Sequence, residues 1–114
     1  MKIVNRAEFL SLPEGTLYSE YEPCIFSGLS IKEKSIFHGP KSSGDFVYMD
    51  LIGNIECEGP DFSDILFNAE ETKEEIKLDF EAHERDGMYN ENQLYAVYSK
   101  DDVKELIKTI QDLI

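Results

Sequence analysis

Positive charge is what this chain has least of. Only 11 Lys and Arg residues stand against 24 Asp and Glu, a net charge of −13 over 114 residues. Each phosphate contact needs a Lys or Arg, so the shortage argues against direct binding of DNA, RNA or an anionic membrane. Cysteine is also scarce. Cys24 and Cys57 are the whole complement, without close spacing, which leaves neither a disulfide framework nor a CxxC redox site. A cytosolic location with both thiols reduced is the expectation. No apolar run approaches a membrane span, and the N-terminus lacks the charged-then-apolar pattern of a signal peptide. Also missing are GxGxxG, a P-loop and GxSxG. No catalytic residue, cofactor or metal follows from motifs.

What is present describes a fold. Apolar residues make up 41% of the chain, enough for one core in a single domain, 1–114. The clearest signal is C-terminal. Leu94, Ala96 and Tyr98 alternate with Tyr95 and Val97 as in a strand. Ser99 then reads as a helix cap, with Asp102 completing a capping box. Val103, Leu106, Ile107, Ile110, Leu113 and Ile114 recur at helical spacing. They predict one inward stripe on which the shorter segments rest.

Upstream, Asn5 predicts the cap of a brief helix that buries Phe9, Leu10 and Leu12 and ends at Pro13-Glu14-Gly15. Strands are predicted from Leu17 to Tyr21, from Cys24 to Lys32 and from Phe46 to Ile52, with a loop over Glu33–Asp45. Gly53-Asn54 predicts a hairpin turn into a short return strand, Ile55 to Glu58. A helix opens at Gly59-Pro60-Asp61 with Phe62, Ile65, Leu66 and Ala69 on its stripe. Ile76, Leu78 and Phe80 alternate as a half-exposed strand, and Asp86-Gly87 is a turn. The sum is α+β: a mostly antiparallel sheet of about five strands with about three helices packed on one face.

Acidic residues are densest between Glu70 and Glu91. Asp79 and Glu81 would project from one strand face, continuing through Glu84, Asp86 and Glu91, with Tyr89 as an aromatic anchor. Such a row serves either as a solvated sheet face or as a docking surface for a basic partner. Asp86-Gly87 superficially matches the centre of a calcium loop. Positions one and twelve would be Ala82 and Gln93, which lack the required carboxylates. A zinc site from Cys24, His38, Cys57 and His83 has no ligand spacing. Both cysteines lie in apolar patterns and are expected to be buried core residues.

The stretches Ala7 to Thr16, Tyr21 to Phe26, Arg85 to Tyr89 and Gln93 to Tyr98 resemble those of small acidic accessory proteins of bacteriophages and prophages. The resemblance implies a context of host inhibition, including anti-CRISPR and other counter-defence proteins and nucleic-acid mimics. The expected function is therefore non-enzymatic: occlusion of a basic site on a bacterial host protein, without direct nucleic-acid or membrane binding. Self-association as a homodimer is compatible with it. An alternative is sequestration of a small signalling nucleotide, for which Arg6, Lys32, Lys41 and Arg85 are the candidate phosphate ligands. A third is a small enzyme without a recognisable motif.

Overall fold

In the computed structural model, residues 1–37, 39, 44–57 and 61–114 are described. The elements run β1 (Lys2–Val4), α1 (Arg6–Leu10), β2 (Thr16–Glu22), β3 (Ile25–Ile36), β4 (Asp45–Asp50), α2 (Phe62–Thr72), β5 (Glu84–Arg85), β6 (Leu94–Val97) and α3 (Lys100–Gln111). One antiparallel sheet of six strands forms in the order β1-β6-β2-β3-β4-β5. This is a single small α+β domain of six strands against about five suggested by the sequence, with two strands added and the expected strands at Ile55 and Ile76–Phe80 not formed among the described residues. The additions are the apolar lead Lys2–Val4, which pairs with β6, and the two-residue β5, which pairs with β4.

The core gathers around α1, not around the C-terminal helix. Asn5 accepts the Glu8 N–H at 2.9 Å and so starts the helix. Phe9 is fully buried and stacks on Tyr95, with ring centroids 3.9 Å apart. Tyr18 and Phe46 meet Phe9 edge-on at 4.7 and 5.0 Å. Val4, Leu10 and Val97 complete this cluster. An aromatic quartet of this kind combines large apolar burial with favourable ring geometry.

The expected inward stripe of α3 is a correction. Its capping box forms: Ser99 accepts the Asp102 N–H at 3.1 Å, and Asp102 accepts the Ser99 N–H at 2.9 Å. Yet no residue of α3 is buried, and Ile107 and Ile110 are about half exposed at 51% and 53%. The helix borders Leu17, Leu29 and Tyr98 along an open groove. By strand alternation these residues point away from the face carrying Tyr18, Tyr95 and α1. Only one edge of the stripe touches the sheet. Nor does α2 bury a side chain, although Phe62, Leu66 and Phe67 lie along it.

Other boundaries move. β3 runs on to Ile36, so the expected loop begins later. The alternation at Ile76–Phe80 yields one bridge, Ile55 to Leu78, in place of a strand, and Ile55 makes no return hairpin with β4. Gly59-Pro60 and the return strand's last residue, Glu58, lie outside the described residues. Cys24 and Cys57 are exposed, contrary to expectation. Cys24 occupies the turn between β2 and β3 with φ 67°, at a hairpin end where the apolar neighbours Ile25 and Phe26 are exposed as well.

Candidate functional site

The core face of the sheet carries an acid where apolar residues are the rule. On β2, Glu20 shares a face with Tyr18, because successive side chains alternate. On β4, Asp50 shares that face with Phe46 and Tyr48. The register sets Ser30 of β3 opposite both Tyr18 and Asp50. Beyond the edge of the aromatic cluster these residues enclose a concavity of about 280 Å³, walled by Tyr18, Glu20, Ser30, Tyr48 and Asp50 and closed by Gly28 and Ile52.

Its two carboxylates differ. Asp50 is tied down, accepting the Ser30 hydroxyl at 2.5 Å. Glu20 is half-buried and meets no hydrogen-bond donor among the described residues. Burial raises its pKa above the usual carboxylate value, and the charges of Asp86 and Asp50 raise it further, against an opposing pull from Arg6. Tyr48 donates to Glu84 at 3.1 Å. Burial, that hydrogen bond and the surrounding carboxylates push its phenol up to about 12. Tyr18 is raised as well, through burial and then Glu20 and Asp50. Burial is the largest cause of each shift and the neighbouring carboxylates add to it, so the concavity resists further negative charge.

Beneath it lies Arg6, almost wholly buried. It donates to the Tyr95 hydroxyl and the Gly44 carbonyl, both at 2.8 Å, and to Asp86 at 3.4 Å. Among the described residues its Nε has no hydrogen-bond partner. Glycine at position 44 permits close packing on the end of β3, since a Cβ there would lie 2.9 Å from the Ile36 carbonyl oxygen. Next to it, Asp45 is fully buried and accepts from Arg85 and from the Gly87 N–H. Burial alone would raise the Asp45 pKa, but those donors prevail and it is lowered.

The predicted acidic row is split by these arrangements. Glu84 leans on Tyr48 and so joins the rim of the concavity. Asp86 is turned inward, its side chain 8% exposed, to pair with Arg6. Asp79 does not lie on a strand; it accepts the Glu81 N–H at 2.8 Å and closes a local turn. Glu81 and Glu91 are exposed. Among the described residues no hydrogen bond or ion pair joins Asp79, Glu81 or Glu91 to the concavity. Tyr89 is 42% exposed at φ 50°, and its hydroxyl accepts from Arg85 at 3.0 Å. The sequence reading missed Glu20 and Asp50. The signal was present: in each strand an acid falls on the same alternate positions as buried aromatics.

The cations suggested for a phosphate site have structural duties. Arg6 and Arg85 hold Asp86 and Asp45. Lys32 is buried, with its ammonium donating to the Leu12 and Glu33 carbonyls. Lys41 lies outside the described residues, as does His38. His83 pairs with Glu33 at 2.6 Å. Among the described residues no helix is long and apolar enough to cross a membrane. Comparison with family models, curated proteins and solved structures returns no match.

Proposed function

We propose that this chain is a non-enzymatic binding protein that occludes a basic site on a bacterial host protein, in the manner of a phage-encoded inhibitor or nucleic-acid mimic. The observation that carries this reading is the unpaired, half-buried Glu20 carboxylate beside Asp50 in an electronegative concavity. A guanidinium or ammonium from the partner would supply the donors that Glu20 lacks. The net charge of −13 supports long-range attraction to such a partner. The docking surface is thus recentred from the strand-like row around Asp79 and Glu81 onto Glu20, Asp50, Tyr48 and Glu84, with Tyr89 and Glu91 as outlying contacts.

Titration with a short oligoarginine peptide, followed by NMR, tests this. Shifts should concentrate at Glu20, Ser30, Tyr48 and Asp50, and Glu20→Gln should weaken binding about tenfold or more, as loss of a charged hydrogen-bond acceptor does. Shifts spread evenly over the acidic surface would reduce the charge to a solubility feature. The same variant assayed for phage counter-defence in host cells then links the site to inhibition.

A further inference from the structure

The chain exposes more surface than a self-sufficient domain of its mass. Its accessible area is 8070 Å² for 13.1 kDa, whereas folded monomers of that mass show about 6,400 Å². The excess over that expected area, about 1,700 Å², exceeds the roughly 800 Å² that each partner gives up in a standard interface. The radius of gyration, 16.1 Å, is likewise above the about 13 Å expected at this length.

Part of the uncovered apolar surface lies on α3. On α3, Ile107 and Ile110 stand open next to the groove described above. An isolated exposed leucine is ordinary, but apolar stripes on successive turns mark association surfaces.

Charge selects the occupant. Two copies of a chain with net charge −13 repel over most of their surface. The exception is α3, where Lys100, Lys104 and Lys108 offset Asp101, Asp102, Glu105 and Asp112 almost completely. The lysines recur every fourth residue along one flank of the stripe. A like copy can approach this helix without a large electrostatic cost. A strongly basic partner gains little there.

We propose that the apolar face of α3 is covered by a second copy of this chain, in a two-fold dimer that leaves the Glu20 concavity on the opposite sheet face free. Sedimentation equilibrium of the intact chain tests it. The expected mass is twice 13.1 kDa, and added salt should strengthen association by screening the residual repulsion. Salt acts oppositely on oligoarginine binding, so failure of one reading is distinct from failure of the other. Ile107→Ser and Ile110→Ser, both at exposed positions, should each weaken the dimer about tenfold or more while circular dichroism stays unchanged. A monomeric wild type up to millimolar concentration overturns the proposal, as does a dimer that neither variant weakens. The wild type provides a check independent of any variant. Its melting temperature should rise with protein concentration, and a concentration-independent value overturns the dimer.

Discussion

Asp86 shows how far a single side chain departs from its position in a charge run. Among neighbours such as Glu84 and Glu91 it reads as one more surface acid, whose reversal would leave stability untouched. Its carboxylate instead faces Arg6, itself 1% exposed and 80 residues away in sequence. Nothing local in the sequence reports that pairing, because the partners meet only once the sheet has closed. Breaking a buried pair leaves one charge without its counter-ion. Asp86→Asn should therefore cost about 3 kcal/mol of unfolding free energy. Glu84→Lys, at an exposed site, should cost less than about 1 kcal/mol. Urea denaturation of the two variants side by side checks the contrast. Equal, small losses would mean that Tyr95 and Gly44 alone hold Arg6.

At the level of elements, capping and alternation were legible and burial was not. Asn5 and Ser99 cap helices as their spacing predicts, and β2 and β6 follow their alternating residues. A helical stripe states which side of a helix is apolar, not whether anything covers it. The longer stripes of α2 and α3 promised the core, whereas the five residues of α1 supply it through Phe9 and Leu10. A fragment ending at Ser99 should accordingly retain cooperative unfolding. It should lose about 2–4 kcal/mol, the worth of the half-buried Val103 and Leu106. A fragment without a thermal transition would restore α3 to the organising role. The cysteines give a second check. Both are exposed in the native chain, so Cys24 and Cys57 should react with a thiol reagent without denaturant. Protection of either would place it inside the fold.

Across the whole molecule, acidity is distributed widely. The net charge was readable from composition; that a half-buried carboxylate would sit on the core face was not, since Glu20 becomes unusual only once the sheet half-buries it beside Asp50 and Asp86. Its pKa is raised, so Glu20 takes up a proton at a higher pH than an ordinary glutamate. Cation binding requires the ionised form. Affinity for oligoarginine should thus be full well above the raised pKa and decline as pH falls through it, before exposed carboxylates titrate. Glu20→Gln should abolish this early decline. Affinity that holds until the ordinary carboxylate range would separate Glu20 from the site. Raising salt should weaken the same complex, since its attraction is long-ranged.

The place of β6 has a consequence in time. This strand, Leu94–Val97, lies between β1 and β2 and hydrogen-bonds to both. During synthesis the two flanking strands leave the ribosome first and wait, each with an open edge, for a strand made long after them. Phe9 likewise waits for Tyr95, its stacking partner. The sheet cannot close progressively from β1 onward, and nascent chains remain open to edge-to-edge pairing until β6 has emerged. A chain stopped a few residues before Leu94 is then left with a slot in its sheet that a peptide carrying the β6 sequence could fill.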